Sequence, residues 1–289
     1  MADKAIGLLV PANNTVIERE FHSMAPPGIS VFGTRLLWHG PLRPRTLEDE
    51  VLSLEEDIPD AVARLAEARP DVLVYGCSAA SFVTGMNGDE RIASTIRRTR
   101  SLPVVTAASA AREALKHLQV TRVALGTPYP EDLTADLIDY LAEWRIRAVA
   151  VRSIPYSEAQ GEHAAAGLAM DLDGPNVEAI FLCCTDLRTV HVIQRLEEHL
   201  HKPVVSSNQA ALWAGLRILR FPGPIEGFGT LLSRTPAGPS VADARKTAAS
   251  PSGTGPHSWN STVRELECDP APGRVAHDDL GDRHGDAGA

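Results

Sequence analysis

The chain has 289 residues, 44% of them hydrophobic and 22% charged, with a formal net charge of −9. That composition fits a globular protein large enough to bury a full core. The broad basic surface that phosphate binding requires is missing, so no nucleic-acid partner is expected.

The first apolar run, 5–10, stops at a proline and is too short for a signal segment or a membrane span. No later run reaches the length of a span, so no membrane association is expected. The expected location is the cytoplasm, with cysteines as reduced thiols. Apolar runs recur at 29–37, 72–75, 104–106, 123–126, 148–151, 179–182 and 204–206. They are nearly continuous in Val, Ile, Leu and Ala, which predicts strands buried on both faces and therefore parallel sheet. Between them the period changes. Leu47, Val51, Leu54, Ile58, Val62 and Leu65 step by three and four, and Leu133, Leu137, Ile138 and Leu141 do the same. Both patterns predict amphipathic helices. The arginines at 97–100 suit a helix end, where cations complement the dipole. Strands alternating with helices define an α/β fold.

An internal echo divides the chain. "LVYGCSAASFV" at 73–83 resembles "IFLCCTDLRTV" at 180–190, which sets Cys77 over Cys184. "PVVTAASAA" at 103–111 parallels "PVVSSNQAA" at 203–211, and "AIGLLVPANN" at 5–14 parallels "RVALGTPYPE" at 122–131. Two pseudo-symmetric lobes follow, each a parallel sheet flanked by helices. The expected boundaries are 1–107 with 209–232 for the first lobe and 108–208 for the second. From 233 to 289 the composition turns to Pro, Gly, Ser, Asp and His without period, which predicts a disordered tail. Cys268 lies in that tail and is set aside.

Open α/β sheets bind ligands at the carboxyl ends of their strands. Both Cys77 and Cys184 fall there. A lone cysteine is most often a buried filler, but a pair in equivalent positions points to chemistry. Ser78, Ala79 and Ala80 after Cys77 form a small-residue turn whose N–H groups could face an anion. Cys183 and Cys184 should point to opposite faces, one to the core and one to a cleft. From Leu187 onward a helix is expected, with N–H groups able to hold a carboxylate. Asn14 and Thr15 are natural helix caps, or an Asn amide could donate to a substrate carboxylate. Tyr129, Thr106 and 206–208 also fall at strand ends. Zinc-type spacing is lacking, and His191, His199 and His201 are expected to be solvated, so no metal is assigned. Phosphate, dinucleotide and hydrolase motifs are missing, so no cofactor is expected.

Taken in order, "PANNT" with Glu18, "YGCSAASFV", "TPY", "CTDLRT", "PVVSSNQA" and "IEGFGTLL" resemble the Asp/Glu racemase superfamily over about 4–232. The nearer branch is that of maleate cis–trans isomerases, arylmalonate decarboxylases and ectoine-utilisation proteins. The resemblance implies an active site between the lobes, two cleft cysteines at Cys77 and Cys184, and neither metal nor cofactor. It implies carboxylate binding by Asn14 and Tyr129, with Ser78, Ala79 and Thr185 beside the thiols. It further implies a homodimer or larger homo-oligomer. Decarboxylases of the group keep only the second cysteine, so the pair favours a two-cysteine isomerase of a small carboxylate or dicarboxylate, most like maleate isomerase. The alternatives are an amino-acid or hydantoin-type racemase, an arylmalonate-type decarboxylase, or a non-catalytic carboxylate-binding accessory protein of ectoine utilisation. Two positions depart from the group. Asp186 stands where Asn is common, which disfavours an anionic ligand unless the side chain turns away. No Asn occurs in "SIPYSEAQ" at 153–160, where isomerases carry a substrate-binding one.

Overall fold

In the computed structural model, residues 3–38, 49, 52–161 and 163–234 are described. The first lobe's strands are β1 (Lys4–Pro11), β2 (Ile29–Leu36), β3 (Val72–Tyr75) and β4 (Val104–Thr106). Those of the second are β5 (Arg122–Thr127), β6 (Arg147–Ser153), β7 (Ala179–Leu182) and β8 (Val204–Ser206). The first sheet has the order β2-β1-β3-β4 and the second β6-β5-β7-β8, so the same arrangement is built twice. Every pairing is parallel. All eight expected strands are present.

Burial on both faces holds for the inner strands and for the short edge strands β4 and β8, but not for β2 and β6. β1, β3, β5 and β7 are buried along most of their length, whereas β2 and β6 are largely exposed or half-buried. Cover explains the difference: β2 and β6 are the equivalent outer edges, whereas the opposite edges β4 and β8 lie under the helices that start at Ala107 and Ser207. An edge strand has one neighbour, so its burial depends on what covers it.

The helices are α1 (Ile17–Met24), α2 (Ile58–Ala66), α3 (Ser78–Phe82), α4 (Gly85–Thr99), α5 (Ala107–His117), α6 (Glu131–Glu143), α7 (Ala164–Leu172), α8 (Val190–Leu200), α9 (Ser207–Ile218) and α10 (Thr230–Ser233). The long helix expected from Leu47 to Leu65 is divided. A 3₁₀ turn covers Leu54–Asp57 and α2 starts afresh at Ile58. Pro59 accounts for the break: it lacks an N–H and fits only a first helical turn. Leu47 and Val51 lie outside the described residues, as does the tail from 235 onward, Cys268 included. Ser233, placed in that tail by composition, closes α10. Arg97 and Arg98 occupy the last turn of α4, as expected.

The echo extends to the caps. Thr106 and Ser109 form a reciprocal capping box at the start of α5, and Ser206 and Gln209 form the equivalent box at the start of α9. Each box satisfies two backbone donors at a strand–helix junction. α5 and α9 pack on each other, and α9 also packs on α1 and β3 of the first lobe. Trp213, fully buried on α9, has its ring 5.2 Å from that of His117 in the last turn of α5. Among the described residues, no helix is long and apolar enough to cross a membrane.

Candidate active site

The carboxyl ends of β1, β3, β5 and β7 converge on one cleft of about 40 Å³. Its walls include Asn13, Asn14, Cys77, Ser78, Ala79, Tyr129, Tyr156, Cys184, Thr185 and Asp186. The seven site residues implied by the resemblance therefore meet in one place, whereas Thr15, Ala80, Thr106 and 206–208 do not line it. Free volume of that size holds about two or three waters, which suits a ligand of few heavy atoms.

Asn14 acts both as a cap and as a cleft group. Its Oδ1 accepts from the backbone N–H groups of Val16 and Ile17 at 2.9 and 3.1 Å, at the start of α1. Its Nδ2 donates to Thr185 Oγ1 at 3.0 Å. A primary amide has two N–H bonds, so one is left over in the cleft. Thr185 Oγ1 in turn donates to the Gly76 carbonyl at 3.0 Å. That hydroxyl thus ties the second lobe to the first.

Cys77 follows β3 and Cys184 follows β7, with 6% and 4% of their surfaces exposed. Cys184 has a φ of 156°, a region that residues other than glycine seldom adopt. Its N–H donates to Ser207 Oγ at 3.2 Å and its carbonyl accepts from Leu187 N at 3.3 Å. Ser207 also accepts from Ser78 Oγ at 3.0 Å and donates to Cys183 Sγ at 3.8 Å. This one buried hydroxyl links the turns carrying both cleft cysteines. Cys183 lies behind the cleft, in a small void shared with Phe82, Leu137 and Phe181. Burial pushes its thiol well up, as befits a packing residue.

The Cys184 thiol is pushed up to about 11 by burial. Hydrogen bonds from the Tyr129 hydroxyl and from the N–H groups of Asp186 and Leu187 pull it down, and the Asp186 charge pushes it up. The Asp186 N–H lies 3.3 Å from the sulfur. N–H groups alone would favour thiolate, but here desolvation wins and Cys184 is held as a thiol. Tyr129 is buried, which raises its hydroxyl well above 10 and keeps it a donor.

The helix expected from Leu187 starts at Val190 instead, and the N–H groups of Thr189 and Val190 at its start are already taken. Glu20, on α1, accepts from Thr189 N and Val190 N at 2.6 and 3.1 Å through Oε1. Its Oε2 accepts from Thr189 Oγ1 at 3.2 Å and Asn208 Nδ2 at 2.7 Å. The carboxylate at this helix start belongs to the protein, not to a ligand. Burial raises the Glu20 pKa, against the pull of these hydrogen bonds.

Asp186 does not turn away from the cleft. It is 2% exposed and forms part of the wall. Thr15 N donates to its Oδ1 at 3.1 Å; Tyr156 Oη and Gln160 Nε2 donate to its Oδ2 at 3.2 and 2.8 Å. The two sequence departures are therefore one feature, since "SIPYSEAQ" supplies two of the three groups that hold Asp186. Spacing gave no sign of this or of Glu20, and placed Ser207 only among three polar residues at a strand end, because all three act across long sequence separations. His191, His199 and His201 are exposed. Among the described residues, no cluster of His, Cys, Asp or Glu could hold a metal ion.

Doubled parallel sheets with a thiol after each equivalent strand define a two-lobed α/β protein with a paired-cysteine cleft. Residues 6–232 match the arylmalonate decarboxylase family, and the chain belongs to it. It is 28% identical over 242 residues to maleate isomerase of Pseudomonas putida, spanning 79% of this chain and 96% of that one. It is 30% identical over 259 residues to maleate isomerase of Nocardia farcinica, spanning 82% and 98%. A solved structure of the Nocardia farcinica maleate cis–trans isomerase, a mutant with a covalently bound succinylcysteine intermediate, superimposes with a TM-score of 0.73 at 26% identity, covering 80% of this chain and 98% of that one.

Proposed function

We propose that this chain is a cysteine-based cis–trans isomerase of a small unsaturated carboxylate, of the maleate isomerase type. The observation that carries the reading is the meeting of Cys77, Cys184, Asn14 and Tyr129 in one cleft. Cys77, as thiolate, adds to one double-bond carbon: a C–S bond forms and the π pair moves to the neighbouring carbon. Cys184 gives that carbon its proton. The adduct has a single bond and rotates. Cys184 then takes the proton back, the C–S bond breaks, and the trans isomer leaves. The spare Asn14 N–H, joined by the Tyr129 hydroxyl when it turns from the Cys184 sulfur to the ligand, stabilises the charge that grows on the substrate carboxylate. Ser78, Ala79 and Thr185 shape the pocket beside the thiols.

The test is product analysis after incubation with maleate, aryl-malonates, and single enantiomers of Asp and Glu. Fumarate is the expected product. Carbon dioxide from an aryl-malonate, or inverted stereochemistry, would replace this reading with a decarboxylase or a racemase.

The Cys184 role has a pH signature. A proton donor must hold its proton, and a raised pKa extends that range upward. The kcat/KM limb belonging to Cys184, which reports the free enzyme, should fall only as pH approaches about 11. A decline centred near the ordinary thiol value of about 8.5 would contradict the assignment.

A further inference from the structure

We propose that Asp186 selects the substrate's second end: the favoured ligand is a cis-enoic acid with a single carboxylate and a hydrogen-bond donor, such as a primary amide, at its other end. This rests on the isomerase reading above and names its substrate class. A carboxylate has about four acceptor positions. Asp186 uses three, on Thr15 N, Tyr156 Oη and Gln160 Nε2, which leaves one on Oδ1. All three partners are neutral, and among the described residues no cation pairs with it. Its negative charge therefore stands in the cleft wall, two residues from Cys184, where little water screens it.

A ligand with two carboxylates would place its second charge against this one. Two like charges about 6–12 Å apart, at an effective dielectric of about 20, lower affinity by about 10- to 100-fold. A primary amide removes the repulsion and offers the N–H that Oδ1 can still accept. The chemistry is unchanged. Cys77 forms the C–S bond, the π pair moves to the adjacent carbon, Cys184 supplies and then recovers the proton, and the C–S bond breaks after rotation. Tyr156, 39% exposed, and Gln160 are positioning residues that orient the carboxylate.

The experiment measures kcat/KM for maleate and for its mono-amide, with the wild-type protein and with Asp186→Asn. The wild type should favour the mono-amide by about tenfold or more, and Asp186→Asn should move the ratio toward maleate by about the same factor. A wild type that favours maleate overturns the proposal whatever the variant does. So does an unchanged ratio in a folded Asp186→Asn, which would give Asp186 a purely structural role. In both cases isomerisation itself persists and the isomerase reading stands. Failure of the wild type to isomerise either compound overturns that reading, and this proposal with it.

Discussion

Cys77→Ser and Cys184→Ser each lower turnover by about 10²- to 10⁴-fold, the scale of losing a nucleophile or a proton donor. The two losses differ in kind. Without Cys77 no C–S bond forms, because a serine hydroxyl at neutral pH is a far weaker nucleophile than a thiolate. Without Cys184 addition still occurs and a solvent proton slowly reaches the neighbouring carbon, but no thiolate takes that proton back, so the adduct accumulates instead of completing the cycle. The double variant should therefore be little worse than either single one, since the pair acts as a unit. Both thiols are buried and closely surrounded, so the smaller serine side chain should leave far-ultraviolet circular dichroism unchanged. Wild-type activity in either single variant would remove the two-cysteine mechanism.

Glu20→Ala destabilises the fold by about 3 kcal/mol or more, because four donors lose their acceptor in a buried place. Those donors are Thr189 N, Val190 N, Thr189 Oγ1 and Asn208 Nδ2. Asn208 also donates to the Thr185 carbonyl at 3.0 Å, so the disturbance reaches the turn that carries Cys184, Thr185 and Asp186. Activity should fall along with stability. Glu20→Gln keeps the shape and one acceptor oxygen and should cost about half as much. Denaturant unfolding checks this: the midpoint should shift without a change in slope. A Glu20→Ala midpoint within error of the wild type would show that water replaces the carboxylate at little cost.

Much of this architecture could be read from local pattern. The strands were visible as apolar runs, since inner parallel strands need continuous apolar sequence. The doubling was visible as an echo, and the matched capping boxes at Thr106 and Ser206 show its physical basis. Cys77 and Cys184 were legible because the echo aligned them. What local pattern missed arises where distant segments meet. Glu20 on α1 caps α8 in the other lobe, which no hydrophobic period records. Ser207 looked like one more polar residue at a strand end, yet it connects both cysteine turns. Asp186 and "SIPYSEAQ" read as two unrelated departures until the fold joined them through Tyr156 and Gln160. Pro59 was visible in the sequence, but the step of three and four ran through it and hid the helix break.

The central claim is that Cys77 forms a covalent bond to the substrate while Cys184 moves the proton. Intact-protein mass spectrometry with peptide mapping tests it most directly, on Cys184→Ser incubated separately with maleate and with its mono-amide. The account predicts a single adduct with the mass of one substrate molecule, located on Cys77 and lost in the Cys77→Ser, Cys184→Ser double variant. An unmodified Cys77, together with full turnover by Cys77→Ser, would contradict it.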